Sequence, residues 1–340
     1  MKGSVLLVRT EQFFERFAVQ RHRLIGLALL RVVLGGSALV MYMSDYGNRE
    51  LLWGPDAVTS FTEFRHTIPG GQFSLYQFST SQLWFEVVFH LGIVVALAFA
   101  VLGGRILTVI HAVFLLSLFI RDPQLLEGGD NLARIVILFL PFATTDAYFS
   151  PFAERRRRKL AAQSGPSAVT LLHNFMALFV VFQVTVLYFV SGVWKVIGQT
   201  WYQGTSMYFI SRLDQFAFSG PLTWLMNNAF AGTALSYFTI VIEVAFPLFV
   251  VTRRRWLREL GVASIEALHI GIAFGMGLVV FAGIMIGGDL ACLRDDDYRA
   301  LATRARTLLS RVRAARPTLP ESVPSSLADP SIALVDAHEV

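Results

Sequence analysis

Nine ionisable side chains fall within strongly apolar stretches of this chain: Arg31, Glu86, His90, His111, Arg134, Lys195, Glu243, Glu266 and His269. Such groups are costly at membrane depth, so they face a protein interior and mark candidate sites. Lys195 stands out. The chain holds 29 Lys+Arg, and its only lysines are Lys2, Lys159 and Lys195. An arginine cannot serve as a base near neutral pH, whereas a desolvated lysine can, because burial disfavours its charged form. A neutral amine in a partly dry pocket would take a proton from a phenol-like group. The bland alternative is a lysine snorkelling to the headgroups. Glu86 and His90 are spaced to share a helix face, which a self-neutralising ion pair also explains. Glu266-x-x-His269 has the spacing used in two-metal carboxylate bundles, but those need a second such motif and two more glutamates, so no metal is expected. Arg31 and Arg134 are expected to neutralise Glu86 or Glu243 across helices. Asp130 and Asn131, after Gly128–Gly129, are suited to cap a helix or to line a site.

The elements that must carry these residues follow from composition. The 340 residues are 54% hydrophobic and only 16% charged, with a mean hydropathy of +0.56. That excludes an ordinary soluble globule and a disordered chain. One cysteine, Cys292, excludes an intramolecular disulfide framework. The expected fold is all-α, a polytopic transmembrane helix bundle with 7–8 membrane-entering segments. The spans are expected over 24–43, 83–102, 106–120, 132–148, 169–197 and 234–252. Residues 260–290 are one long helix, a broken helix or two short spans, because glycines recur through them.

Four regions are expected: 1–23, cytoplasmic and interfacial; 24–291, the membrane domain; 292–316, a basic tail helix; and 317–340, disordered. Arginines cluster at 21–23, 105, 155–158 and 253–258, while the loops 44–81, 121–131 and 198–233 hold few. The positive-inside rule therefore puts the N-terminus in the cytoplasm of a multi-pass protein of the cell membrane, the inner membrane in a two-membrane bacterium. The basic charge is read as orientation, and no nucleic-acid partner is expected. The Gly128–Gly129 pair lacks phosphate-loop spacing. The two long loops exceed ordinary connection lengths, which favours a functional role for them.

Tyr188-Phe-Val-Ser-Gly-Val-Trp-Lys195, followed by Trp201, Gly204 and Met207, resembles the Tyr-Phe-x-x-Gly-x-x-Lys…Trp…Gly…Met segment of vitamin K-dependent γ-glutamyl carboxylases and the wider HTTM (horizontally transferred transmembrane) family. Gly54-Pro-Asp-Ala-Val58, Gly128-Gly-Asp-Asn-Leu-Ala-Arg134 and His269 with the Gly/Met/Phe-rich run 271–286 agree with it. The resemblance runs from about residue 20 to 290. It implies a bacterial membrane lyase using reduced vitamin K or menaquinone, with Lys195 matching the lysine that deprotonates the quinol. Asp130, Asn131, Arg134, Glu243 and His269 would line or support the cavity, and Trp201 would close its outer mouth. That chemistry needs a dry, gated pocket.

True carboxylases carry a large extracytoplasmic domain after the membrane part; no such domain is expected from the roughly 50 residues that follow position 290 here. Short family members resemble the sporulation-delaying protein B type, associated with maturation of exported peptide toxins. The expected function is accordingly a quinol-dependent carboxylase- or oxygenase-type membrane enzyme. The alternative is a non-catalytic partner in the lipid bilayer for maturation or export of a secreted peptide or protein. A transporter is weaker, because the Gly-broken segment has no counterpart in the first half.

Overall fold

The computed structural model describes residues 17–68, 70–216 and 220–314. The expectations for residues 1–16 and for 317–340 lie outside the described residues. By its contacts the chain divides into a first unit, Met1–Tyr298, and a second, Arg299–Val340. Within the second unit, residues 299–314 are helical, and the side chains from 301 to 312 are exposed.

Among the described residues the first unit is built of helices and their connections, with no strand. The main helices are α1 Leu24–Ser44, α2 Gln82–Val101, α3 Arg105–Arg121, α4 Gly128–Phe139, α5 Ala153–Ala161, α6 Ala168–Ile197, α7 Ser206–Ile210, α8 Gly220–Asn227, α9 Ala229–Val251, α10 Arg255–Met276 and α11 Val279–Ala291, followed by α12 Asp295–Ala314. Five of them (α1, α2, α6, α9 and α10) are long and apolar enough to cross a membrane. The protein is a multi-pass membrane helix bundle. Of the other expected segments, α3 has 17 residues, α4 has 12 and α11 has 13.

One expected span is cut short, and the alternatives open for 260–290 are resolved. The segment predicted as 132–148 is helical only to Phe139. Leu140–Phe142 is a single 3-10 turn, and Thr145 to Phe149 runs outside any helix. Pro141 has no N–H to continue the ladder, which ends the helix there. The 260–290 stretch resolves as α10 and α11, broken at Gly277. Its φ of +73° is open to glycine and strained for residues with a Cβ.

The bundle closes on itself. α11 packs most extensively on α1, α9 on α6, and α1 on α2. Three arginines act as clamps on backbone oxygens. Arg23 donates to the carbonyls of Ala291, Cys292 and Leu293 at 2.9, 2.7 and 3.2 Å, satisfying acceptors at the end of α11. Arg31, fully buried, donates to Phe99 and Ala100 at 3.0 and 2.7 Å and to Tyr148 and Phe149 at 3.4 and 2.5 Å. Arg121 donates to Trp53, Gly54 and Thr59 at 3.0, 2.6 and 3.0 Å, with its guanidinium 4.9 Å from the Phe64 ring centroid. The long 44–81 connection is thereby held from its underside, and the Gly54–Val58 motif serves as an anchor point for that clamp. Asp295 accepts from the first amides of α1, Leu24 and Ile25, at 3.2 and 2.9 Å. The carboxylate of Asp297 is buried against Arg258, with N–O distances of 2.6 and 2.5 Å.

Candidate functional site

Lys195 sits two residues before the end of α6, and its amine is surrounded by acceptors. Nζ donates to Ser191 Oγ at 2.6 Å, to Glu243 Oε1 at 3.0 Å and to Glu243 Oε2 at 2.8 Å. An ammonium has three N–H donors, and three acceptors meet them here. Ser191 is placed by helix periodicity, one turn before Lys195 on the same face. Glu243 is placed by close approach of α9. A Cβ built on Gly192 would lie 2.9 Å from the Val244 amide nitrogen and 3.1 Å from the Glu243 Cβ. Glycine at 192 lets the two backbones approach closely enough for the carboxylate to reach the amine. The side chains of Lys195 and Glu243 are 19% and 7% exposed, so the pair is largely removed from water. The Trp201 ring centroid is 5.2 Å from the same nitrogen, adding a cation–π contact.

A second polar cluster stands two turns earlier on α6. The Tyr188 hydroxyl donates to Asp289 Oδ2 at 3.0 Å and lies 2.7 Å from His269 Nε2. It joins α6, α10 and α11, and all three side chains are buried. The His269 ring also packs on Phe281, and Tyr188 on Phe246. Two atoms of this cluster, His269 Nδ1 and Asp289 Oδ1, have no hydrogen-bond partner.

Both clusters border one cavity of about 600 Å³. Its walls come from α6, α9, α10 and α11, with Trp201, Met207 and α8 covering one side. The lining is mostly aliphatic, aromatic and methionine side chains, interrupted by Tyr188, Ser191, Lys195, Thr239, Glu243 and His269. This is the usual make-up of a small-molecule site: apolar bulk with few convergent polar groups. The covering segment is itself fastened. The Tyr237 hydroxyl donates to the Tyr202 carbonyl at 2.7 Å, and the Met207 amide to Ser236 Oγ at 3.4 Å.

Of the seven residues expected to form the site, Lys195, Trp201, Glu243 and His269 converge on this cavity. The other three do not. Asn131 and Arg134 are exposed on α4, where Arg134 donates to Asn131 Oδ1 at 2.7 Å. Asp130 accepts from the Glu127 amide at 2.9 Å, the capping role open to it from its position. It borders a separate cavity of about 180 Å³. The pairing expected for Arg31 and Arg134 is corrected as well. Arg31 binds backbone carbonyls, and Glu86 is held instead by Arg49 at 3.0 Å and His90 at 3.3 Å. Buried carbonyls at a helix end accept from a guanidinium more weakly than a carboxylate does, but without the cost of burying a second charge. His111 is stacked on Phe99 at 4.4 Å and stands apart from the site. Asp289 was missed. Gly287-Gly288-Asp289 reads as the end of an apolar run, and only the tertiary contact with Tyr188 distinguishes it. Among the described residues, no three His, Cys, Asp or Glu side chains converge to hold a metal ion.

Compared with known proteins, the chain is 26% identical over 190 residues to the uncharacterised protein YitO of Bacillus subtilis (strain 168). The match covers 54% of this chain and 59% of that protein. The chain thus spans under two thirds of the length of the curated relative it matches. No family model matches the sequence. No solved structure matches it.

Proposed function

We propose that this chain is a multi-pass protein of the cell membrane, N-terminus in the cytoplasm, that binds an isoprenoid quinol in the α6–α11 cavity and works as a quinol-dependent, carboxylase-like enzyme. The observation that carries the reading is the Lys195–Glu243–Ser191 cluster on the wall of a large apolar cavity. The residues fit such a ligand. About 600 Å³ of apolar space accommodates a bicyclic ring with part of an isoprenoid chain, and the polar groups are few and grouped. Lys195, Glu243 and Ser191 would hold the hydroxyl of the ring, with Trp201 and Met207 over it. A bound quinol would supply the reducing equivalents by which oxygen becomes a base strong enough to ionise a carbon acid.

The protein's own part is to accept and keep a proton. Sequence reasoning treats Lys195 as a lone neutral amine; beside Glu243, the pair is the base. The proton of a ligand hydroxyl passes to the carboxylate, while the ammonium remains next to the resulting anion and stabilises it. The apolar walls exclude water that would quench that anion. The test is incubation of protein purified in native lipid with reduced menaquinone or vitamin K, oxygen and labelled bicarbonate. Quinone epoxide is expected, with labelled carboxylate on an added glutamyl peptide, and Lys195→Met should lose about 100-fold in rate. Absence of both products, with Lys195→Met indistinguishable from wild type, overturns it.

The three-acceptor engagement of Lys195 also suits a purely structural ion pair. That favours the second reading, a non-catalytic partner in maturation or export of a secreted peptide. Under it, a Lys195→Met/Glu243→Met double variant would still support peptide export.

A further inference from the structure

The Tyr188–His269–Asp289 cluster has a direction. Tyr188 carries one hydroxyl proton, and it is donated to Asp289 Oδ2 at 3.0 Å. His269 Nε2, at 2.7 Å from the same oxygen, must then be the donor to Tyr188. In a neutral imidazole this fixes the other nitrogen, Nδ1, as an acceptor with a free lone pair. Nδ1 is buried and has no partner, and His269 borders the cavity. Native structures satisfy nearly all buried polar atoms, so an orphan acceptor beside a cavity points to a donor that arrives with a ligand. Tyr188 and Lys195 are seven residues apart, so the two clusters lie on one face of α6 about 10 Å apart along its axis. The cavity has two polar poles.

We propose that His269 Nδ1 binds a ligand hydroxyl at the second pole, and that Tyr188 and Asp289 form a proton relay behind it. The class of ligand is an apolar amphiphile with a phenol- or naphthol-type O–H; this rests on reading the cavity as a quinol site. The relay balances. The ligand O–H breaks and an N–H forms at Nδ1. The Nε2–H passes to the Tyr188 oxygen, and the Tyr188 proton passes to Asp289. No electrons are exchanged: the ligand becomes an oxyanion and Asp289 a carboxylic acid. The two transfers inside the protein, His269 to Tyr188 and Tyr188 to Asp289, run along contacts of hydrogen-bond length, and the burial of all three residues excludes competing water.

The test uses the purified full chain in lipid nanodiscs with two fluorescent probes, a prenylated naphthol and its methyl ether. The free naphthol is expected to bind about tenfold more tightly than the ether. His269→Phe should bind both equally while keeping wild-type affinity for the ether, which shows that the cavity is intact. Bound naphthol should also emit as the naphtholate in wild type, because the relay carries its proton through His269 and Tyr188 to Asp289 on excitation. Tyr188→Phe and Asp289→Asn should lose that emission with ether binding unchanged. A naphthol preference that survives His269→Phe and disappears in Lys195→Met overturns the second pole and leaves the quinol reading standing. Binding of neither probe to wild type overturns both. Naphthol bound through His269 with no epoxide formed in the enzymatic assay supports the relay against the carboxylase-like reading.

Discussion

The two halves of the bundle treat buried charge in opposite ways. Around α1, α2 and α3, the buried cations are arginines, and Arg31 and Arg121 spend most of their N–H groups on backbone carbonyls. Around the cavity between α6, α9, α10 and α11, the charged and proton-bearing groups are a largely buried lysine, two carboxylates, a histidine and a tyrosine. These pair with one another at a cavity wall and leave acceptor atoms unspent. A planar guanidinium offers five fixed donors and keeps its proton, so it suits the end of a helix or the underside of a loop. Groups able to exchange protons are collected along a cavity wall. Arg31 and Arg121 therefore differ from Lys195 and Glu243 by partner: backbone oxygens for the two arginines, side chains at a cavity wall for the lysine and glutamate.

Variants can break or sharpen this contrast. The largest loss of stability is expected from Arg31→Met, which strands the carbonyls at the end of α2 and of the 148–149 turn, at a cost of about 3 kcal/mol. Thermal unfolding in detergent would read it, and a midpoint equal to wild type would remove the fastening role. Lys195→Met should come next, because it leaves Glu243 buried without its cation, at about 3 kcal/mol or slightly less given the residual exposure of the pair. Here the contrast is sharpest: the double variant Lys195→Met/Glu243→Met should regain most of that stability without regaining activity. Gly192→Val should cost about 1–3 kcal/mol by forcing α9 away from α6. It should also lower activity, since Glu243 would be withdrawn from the amine.

A pH effect distinguishes the fastening at the start of α10. Burial alone would raise the Asp297 carboxyl, but hydrogen bonds from Arg258 and the Arg294 amide outweigh it and hold the group below the ordinary aspartate range. The stability it adds is present above the unfolded-state value and is lost as pH falls through the lower folded value. Asp297→Asn should flatten the acid limb of a melting-temperature profile, and an unchanged limb would count against the role. The smallest effect belongs to Asn131→Ala with Arg134→Ala. This exposed pair should change stability by no more than about 0.5 kcal/mol and leave the cavity's ligand affinity unaltered.

Much of the fold was legible in the sequence, because membrane helices are written as long apolar runs. The first, second and fifth spans fall within a residue or so of their expected limits. The site was legible only in part. Lys195 stood out because lysine is rare here, and its convergence with Glu243 and Trp201 is a tertiary fact that no local pattern carries. Asp130, Asn131 and Arg134 were drawn in by a shared motif, yet helix geometry puts Asn131 and Arg134 on the exposed side of α4. Asp289 was invisible for the opposite reason: its partner is 101 positions away. Partner choice for the arginines was misjudged because backbone carbonyls are not written in a sequence.

The clamp at Arg31 bears on how the molecule is made. Every acceptor it uses, from Phe99 to Phe149, is synthesised after the first helix has left the ribosome. Until those segments emerge, the guanidinium sits on a greasy helix with nothing to bind. The hairpin of α1 and α2 supplies the first two acceptors and the 148–149 turn the rest, so chains halted before position 149 should integrate less stably than longer ones.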